Sequence, residues 1–207
     1  MAISPVFNET YDYYCNELKK IDIQAAALML GAEYIDNKAI IPFFGIPYTV
    51  SADGLKNPHN KKPSFEISVV LFKYFLLCPK FKPVQKDLAA FKDFKDSGPL
   101  TVFWTTDVEK PVERKFAGKK NELETRAITL GAKAVNQDIP WDMALKFTAL
   151  PRIPIFLLFN DKDDEFKAKC SVLFEKSAEK YLDGESLAVL GAVLSRNITA
   201  GGNRLEG

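Results

Sequence analysis

The chain has 207 residues, of which 47% are hydrophobic and 27% are charged, and its formal net charge is +1. This is the composition of an ordinary globular protein with a sizeable core. The near-neutral charge provides no field that would attract nucleic acid or an anionic membrane, so we predict neither as a partner.

Targeting signals and cysteines predict a cytoplasmic protein. The N-terminal segment MAISPVFNETYDYY has no basic start followed by an apolar run, so we expect no signal peptide. The longest apolar run, residues 67–78, is interrupted by polar residues and is too short to span a bilayer. Cys15, Cys78 and Cys170 are odd in number and far apart, so we expect no disulfide framework.

Two helices and two strands are predicted for the first quarter of the chain. Asp22 can cap a helix over residues 23–30, which Gly31 would end in the left-handed conformation. Strands are predicted over residues 39–44 and 46–51. Their prolines, Pro42 and Pro47, predict a sheet edge or a bulge, because proline donates no backbone hydrogen bond. An apolar stripe at helical spacing predicts the first helix, over residues 9–20: Tyr11, Tyr14, Cys15 and Leu18.

Residues 64–78 are apolar nearly all round, which is typical of a buried helix. The adjacent β-branched residues Val69 and Val70 leave a strand as the alternative. The following stretch, residues 84–96, is predicted as a short helix or an irregular turn because Leu88, Phe91 and Phe94 are spaced three apart.

Two further helix starts are predicted beyond residue 100. Pro111 suits the first turn of a helix. Asn121, with Glu124 three residues later, resembles a capping box that opens a helix ending at Gly131. Residues 141–149 are predicted as a short helix or a strand.

The most regular part of the sequence, residues 150–175, predicts a β-hairpin. An apolar run over residues 153–159 meets a polar turn, and the residues after the turn alternate strictly, which is the period of a strand. The residues predicted to share one face of this second strand are Phe166, Ala168, Cys170, Val172 and Phe174.

The polar turn of this hairpin carries four candidate site residues: Asp161, Asp163, Asp164 and Glu165. Their carboxylates are either ligands of a hard cation or turn residues that bond to their own backbone. The spacing does not fit a calcium loop, since Phe166 and Val172 stand where glycine and glutamate are required. Arg152 is the fifth candidate, and it either pairs with one of these acids or grips an anionic ligand.

The sequence shows no pattern for other familiar chemistry. His59, the one histidine, lies in a polar loop with no serine or cysteine in a known nucleophile motif. The cysteines lack zinc spacing, and there is no glycine-rich phosphate loop. Lysines between residues 56 and 86 make the middle of the chain basic. This pattern favours a solvated face over a site for an acidic partner or for the carboxylates of a cofactor.

The C-terminal part is predicted to contain a turn or short helix at residues 177–181 and a final helix over residues 185–197, capped by Asp183. We therefore predict a single α+β domain over residues 1–198, with a mixed or antiparallel sheet flanked by helices. Residues 199–207 are predicted to be a flexible tail.

Two similar stretches have two interpretations, of which an internal helix–strand–strand duplication is the less favoured one. Leu-Gly-Ala at residues 30–32 and Ile-Pro at residues 46–47 recur at residues 130–132 and 153–154. Asn-Glu-Leu precedes both stretches. The alternative is coincidence, since unrelated helices also end at glycine.

Several short motifs in the C-terminal half are shared with a known family. They are Leu-Pro-Arg-Ile-Pro at residues 150–154, Asp-Glu-Phe at 164–166, Leu-Phe at 173–174, and Tyr-Leu-Asp at 181–183 followed by Glu185. Looser matches cover residues 27–31 and 66–77. With these motifs the chain resembles the family called domain of unknown function 3786. The resemblance implies a small protein of anaerobic bacteria and archaea with no established activity. Some relatives look fused to iron–sulfur segments, whose cysteine run this chain lacks.

The leading hypothesis from the sequence is a non-catalytic cytoplasmic binding or accessory module. It would hold a small molecule or a partner protein in a cleft near residues 151–166. The reason is that the sequence predicts an ordered hairpin there but no combination of base, nucleophile and metal ligands for catalysis. One alternative is a metal-dependent enzyme that uses the carboxylates of residues 161–165. The other is a homo-oligomer, such as a homodimer, joined through the proline-rich strand edge. The sequence identifies no cofactor, ligand or partner.

Overall fold

The first part of the fold is a pair of helices followed by a four-stranded antiparallel sheet. The computed structural model describes residues 5–135 and 140–200. Helices α1 and α2 cover Pro5–Leu18 and Ile23–Leu30, so the first helix begins and ends earlier than predicted. The strands are β1 (Glu33–Ile35), β2 (Lys38–Phe43), β3 (Ile46–Ser51) and β4 (Gly54–Lys56), in the sheet order β1-β2-β3-β4.

Helix α2 has the ends that the sequence predicts. The Asp22 carboxylate accepts a hydrogen bond from the backbone N–H of Ala25 (2.9 Å), and Gly31 adopts a φ of 80°. Close packing against Pro151 also favours glycine at this position. A Cβ on Gly31 would lie 3.0 Å from Cβ of Pro151, in the turn between two later strands.

The prediction that Pro42 and Pro47 mark a sheet edge is correct locally, although both lie on inner strands of the sheet. Strands β2 and β3 are the two inner strands of the sheet, and the prolines face each other across them. Pairing of β2 with β1 stops at Ile40, and pairing of β3 with β4 stops at Thr49. Each proline therefore lies beyond the short outer strand, where no neighbouring strand requires its missing N–H.

The middle of the chain contains one buried helix and a long connection. Helix α3 (Phe65–Leu76) confirms the predicted helix and excludes the strand alternative. The prediction for residues 84–96 missed strand β5 (Leu88–Ala90), which is followed by a 3-10 turn (Phe91–Asp93). A second 3-10 turn, Gly98–Leu100, leads into the next helix.

A π-helical segment interrupts this helix. Helix α4 (Thr101–Phe103) continues into the π segment (Trp104–Glu109) and then into α5 (Lys110–Phe116). Pro111 lies in the first turn of α5, as predicted, although the helical path begins before it. Because proline has no N–H to donate to the preceding turn, a widened turn just before it is favourable.

The second part of the fold builds a five-stranded sheet. Helix α6 is followed by four strands, a 3-10 turn and the final helix: α6 (Lys120–Thr129), β6 (Lys133–Ala134), β7 (Met143–Leu150), β8 (Ile153–Asn160), β9 (Lys169–Glu175), the turn (Lys176–Lys180) and α7 (Gly184–Ala200). The sheet order is β5-β9-β8-β7-β6, and every pairing among the described residues is antiparallel. The predicted α+β fold is confirmed.

The predicted hairpin between residues 153 and 174 is confirmed, with one correction. Strands β8 and β9 pair antiparallel. Neither Phe166 nor Ala168 belongs to the second strand, which begins at Lys169: Phe166 is 69% exposed and Ala168 is half-buried in the connection that precedes β9. The buried residues of β9 are Cys170, Val172 and Phe174.

The same order of elements occurs twice along the chain. Two helices, four antiparallel strands and a further helix run from α1 to α3 and again from α5 to α7. Helices α2 and α6 also end alike, since Ala32 N–H donates to the carbonyl of Ala27 and Ala132 N–H to that of Ala127, each at 2.9 Å. The Asn-Glu-Leu motifs are not equivalent, because the first ends α1 and the second lies at the start of α6. The repeated order of elements and the matching helix ends support an internal duplication, whereas the Asn-Glu-Leu motifs do not.

The two repeats meet at their hairpin turns. The backbone N–H of Phe44, in the turn between β2 and β3, donates to the carbonyl of Ala149 in β7 (2.8 Å). Helices α3 and α7 pack against each other across the same junction. The first and second sheets therefore share one body.

The final helix is capped as predicted and extends further than predicted. The Asp183 carboxylate accepts a hydrogen bond from the N–H of Ser186 (2.9 Å). Helix α7 continues to Ala200, and residues 201–207, the rest of the predicted tail, lie outside the described residues. No helix in the described part of the chain has both the length and the apolar character needed to cross a lipid bilayer.

Candidate functional site

Asp161 acts as a helix cap. Its carboxylate accepts hydrogen bonds from the backbone N–H groups of Gly118 (2.5 Å) and Lys120 (3.1 Å) at the start of α6, and from that of Lys162 (2.8 Å). Slight burial raises the pKa of Asp161, but the three donors outweigh that effect and hold the pKa below its usual value. The predicted capping box at Asn121 is therefore wrong, since the cap comes from a residue 41 positions after Lys120.

The other acids of the turn bond to their own backbone or face solvent. The Asp163 carboxylate accepts hydrogen bonds from the N–H groups of Glu165 (2.8 Å) and Phe166 (2.6 Å), and these bonds lower its pKa. The Asp164 and Glu165 side chains are exposed. Within residues 5–135 and 140–200, no three His, Cys, Asp or Glu side chains are grouped to hold a metal ion. The four predicted acids are neighbours in sequence without forming a joint site.

Replacing Asp161 with alanine should lower the free energy of unfolding by about 1–2 kcal/mol, because removing an N-cap carboxylate has roughly that effect. Asp164 is the matched control, since its exposed carboxylate makes no hydrogen bond to the described residues, and Asp164→Ala should change stability by less than about 0.5 kcal/mol. Urea denaturation at pH 7 measures both. The lowered pKa predicts that the Asp161 contribution is present above its usual pKa of 3.8 and is lost as pH falls below it. Equal stability of the two variants would contradict the capping role.

Arg152 contacts the end of helix α2 and not the acidic turn. Its Nε donates to the carbonyl oxygen of Met29 (3.1 Å), near the end of α2 where carbonyls lack helical partners. The predicted pairing with the turn acids is wrong, because no carboxylate of the described residues forms an ion pair with this guanidinium. Its two terminal nitrogens make no hydrogen bond within the same part of the chain.

Tyr74 fixes the backbone of Arg152. The Tyr74 hydroxyl donates to the carbonyl of Leu30 (3.1 Å) and accepts a hydrogen bond from the N–H of Arg152 (3.2 Å). Burial raises the pKa of Tyr74 far above its usual value, although the Arg152 N–H opposes the shift, so the hydroxyl stays protonated. The phenol thus ties α2 and α3 to the turn between β7 and β8, which carries Arg152.

A cavity of about 210 Å³ opens beside Arg152. Its lining comes from strands β7 and β8 with the turn between them, from the end of β9 through Tyr181, and from the connection after α3. Four cations and one carboxylate line it, namely Lys82, Lys86, Lys146, Arg152 and Glu175. An excess of one sign of charge in a concave, low-dielectric space attracts the opposite charge, so this cavity favours anions.

Two hydroxyl groups at this cavity belong to residues that are themselves mostly buried. Tyr181 is 2% exposed and Ser177 is 5% exposed, and neither hydroxyl has a hydrogen-bond partner among the described residues. Burial raises the pKa of Tyr181, while the charge of Arg152 lowers it and that of Glu175 raises it, so both charges act on the phenol. Both hydroxyl oxygens keep some accessible surface although the rest of each residue is buried, so they are available to a ligand in the cavity.

Sequence reasoning found one member of this cavity. Arg152 is a predicted site residue, whereas Lys82 and Lys86 belong to the stretch predicted to be a solvated face. Tyr181 was part of a family motif, but nothing indicated that it or Ser177 lines a site, because their place beside Arg152 depends on how β9 pairs with β8. The cavity collects residues from three separate segments of the chain, so no motif at fixed spacing describes it.

A larger and more open groove, of about 700 Å³, lies between α1 and β4. The Tyr11 hydroxyl at its wall already bonds to Leu55, accepting from the N–H (2.7 Å) and donating to the carbonyl (3.2 Å). Lys62 Nζ lies 3.9 Å from the Tyr11 ring centroid. Burial raises the pKa of the Cys15 thiol in this groove, which disfavours a reactive thiolate. His59 lines neither space. The cavity beside Arg152 is therefore the better candidate.

Comparison with known proteins identifies the family of the chain. Neither the curated proteins nor the solved structures contain a significant match. The model of the family DUF3786, described as a domain of unknown function, matches residues 22–197. This match includes both sheets and every residue that lines the candidate cavity. The resemblance seen in the sequence motifs is thereby confirmed, and the chain belongs to the DUF3786 family.

Proposed function

We propose that this protein is a cytoplasmic binding module that holds a small organic anion in the cavity beside Arg152. The observation that carries the proposal is an arginine with two free terminal nitrogens at a cavity that two further hydroxyls, without partners among the described residues, also line. The proposal refines the hypothesis from the sequence, which placed a ligand near residues 151–166.

The geometry around Arg152 favours recognition of an anion. Because Nε is anchored on Met29 and the backbone N–H on Tyr74, the guanidinium loses little freedom when a ligand binds. Its terminal nitrogens offer the planar fork that matches carboxylate and phosphate oxygens. Lys146, on the adjacent strand β7, adds a second cation at the same cavity.

We propose binding without catalysis, in the cytoplasm. Neither Ser177 nor Tyr181 is hydrogen-bonded to a base among the described residues, so neither resembles an activated nucleophile. The three cysteines are free thiols, which agrees with a reducing compartment. The metal-enzyme alternative is less favoured because the oxygens of Asp161 and Asp163 already accept backbone hydrogen bonds. The homodimer alternative would use the unpaired edges beside Pro42 and Pro47, which are only a few residues long.

Inorganic phosphate is the probe for this proposal. Isothermal titration at low ionic strength should give a dissociation constant below about 1 mM for the wild type. Arg152→Met should weaken binding at least about tenfold, because a charge-assisted hydrogen bond contributes roughly 1.5–3 kcal/mol. Lys146→Met should weaken it by a smaller factor. Arg114→Met is the matched control, since Arg114 is exposed on α5 away from the cavity, and its affinity should stay within about twofold of wild type.

Arg152→Lys separates binding from folding. Lysine keeps the charge and loses the fork, so the affinity should fall between those of the wild type and Arg152→Met. Thermal unfolding of each variant without phosphate reports any loss of the α2 cap. Wild-type affinity in Arg152→Met, or equal losses in Arg152→Met and Arg114→Met, would refute the proposed site.

A further inference from the structure

The cavity beside Arg152 contains one residue that anion binding alone does not explain. Glu175 places a carboxylate in a space otherwise lined by cations. We infer that the ligand is a phosphate monoester that carries hydroxyl groups close to its phosphate, which is a small phosphorylated polyol. This inference rests on the proposed function and names the chemical class of its ligand.

The charge of the cavity favours a phosphate over a single carboxylate. Four cationic side chains line the space. A phosphate monoester carries a charge of about −1.5 to −2 at pH 7 and offers three acceptor oxygens. A carboxylate offers one charge and two oxygens. The guanidinium of Arg152 and the hydroxyls of Ser177 and Tyr181 provide donors for all three phosphate oxygens.

Glu175 indicates a hydrogen-bond donor elsewhere on the ligand. Its carboxylate makes no hydrogen bond and no ion pair within residues 5–135 and 140–200, although lysines line the same cavity. An ionised carboxylate only accepts hydrogen bonds, so its ligand partner must donate. An ammonium group would donate but would also be repelled by the four cations. A hydroxyl donates without adding positive charge, and the cavity therefore selects a hydroxyl.

The size of the cavity sets an upper limit on the enclosed part of the ligand. Its volume of about 210 Å³ lies below the roughly 300–1,000 Å³ of sites that hold drug-sized ligands. It exceeds by several-fold the approximately 30 Å³ that one water molecule occupies in the liquid. A three-carbon phosphate ester fits these bounds, so glycerol 3-phosphate is a suitable probe.

Two esters with the same carbon skeleton test the inference, namely glycerol 3-phosphate and n-propyl phosphate. By isothermal titration, the wild type should bind glycerol 3-phosphate about tenfold more tightly, as expected for a hydrogen bond to a charged group. Glu175→Gln should reduce this preference to about threefold or less and leave the affinity for propyl phosphate unchanged or higher. Glu179→Gln is the control, because Glu179 is exposed on the neighbouring 3-10 turn and does not line the cavity, so it should keep the wild-type preference.

The outcomes separate this inference from the proposed function. Equal affinities of the wild type for the two esters, with binding still lost in Arg152→Met, would overturn the polyol inference and leave the anion site standing. Tighter binding of glutamate than of either ester would also overturn it, in favour of a zwitterionic ligand. Failure of both esters and of inorganic phosphate to bind would overturn the proposed function itself.

Discussion

Replacing Gly191 with alanine is expected to lower the free energy of unfolding by about 2 kcal/mol. A Cβ at this position of α7 would lie 2.4 Å from Cζ3 and 2.5 Å from Cη2 of Trp104. Carbon atoms prefer separations of roughly 3.5–4.0 Å, so the new methyl group overlaps the indole. Alanine improves helix propensity by about 1 kcal/mol. Overpacking in a dense core costs about 1–3 kcal/mol or more, and the severity of this overlap places it at the upper end.

The surroundings of Trp104 prevent the ring from moving away. Trp104 is 4% exposed and stacks on Phe91, with ring centroids 4.3 Å apart and an interplanar angle of 7°. Its Nε1 also donates to the Glu109 carboxylate (3.2 Å). In a Trp104→Phe background the alanine at residue 191 should destabilise less, because the atoms that it meets are gone. Urea denaturation measures all four proteins, and a Gly191→Ala single variant as stable as the wild type would contradict this packing.

Glu109→Ala is expected to cost about 2–3 kcal/mol, because it leaves two donors without a partner. One Glu109 oxygen accepts hydrogen bonds from the backbone N–H of Val172 (3.1 Å) and from Trp104 Nε1 (3.2 Å). Glu113 accepts the N–H of Cys170 in the same way (3.0 Å). Strand β5 pairs only with the last residues of β9. The two carboxylates therefore replace a neighbouring strand along the first part of β9.

Glu109→Gln separates the hydrogen bonds from the charge. Burial raises the pKa of Glu109 above its usual value of 4.5, although the two donors oppose the shift. A raised carboxyl pKa means that the folded protein holds the proton more tightly than the unfolded chain does. The contribution of Glu109 to the free energy of unfolding is therefore complete below the usual pKa and is lost as the pH rises through the raised pKa of the folded state.

The pH dependence distinguishes the two substitutions. Glutamine keeps an acceptor oxygen and does not ionise, so the stability of Glu109→Gln relative to wild type should increase between about pH 4 and pH 7. Glu109→Ala should be destabilised across that range. Chemical denaturation at several pH values gives both curves. A pH-independent difference between Glu109→Gln and the wild type would contradict the raised pKa.

Helices and strands that are defined by residues close together in the sequence could be predicted. Helix α2 lies between Asp22 and Gly31, and helix α7 follows Asp183, as their capping patterns indicate. The alternation in β9 predicted its buried face, except at Phe166 and Ala168. Phe166 fits the alternation by chance, since it lies in the exposed connection before β9 begins at Lys169.

Contacts between distant segments were not predictable from local patterns. The cap of α6 comes from Asp161, and no window of sequence joins that residue to Gly118. The same reason explains the candidate site. Arg152 was a candidate because it lies just before a buried strand, but its partner is the end of α2, and the cavity depends on strand pairing that a single sequence does not reveal.

The bond from Arg152 to Met29 joins residues 123 positions apart and crosses from the second repeat to the first. The N-terminal repeat therefore does not contain all of the contacts that hold its own second helix. During synthesis, the hydrogen bond that caps the end of α2 can form only after residue 152 has left the ribosome.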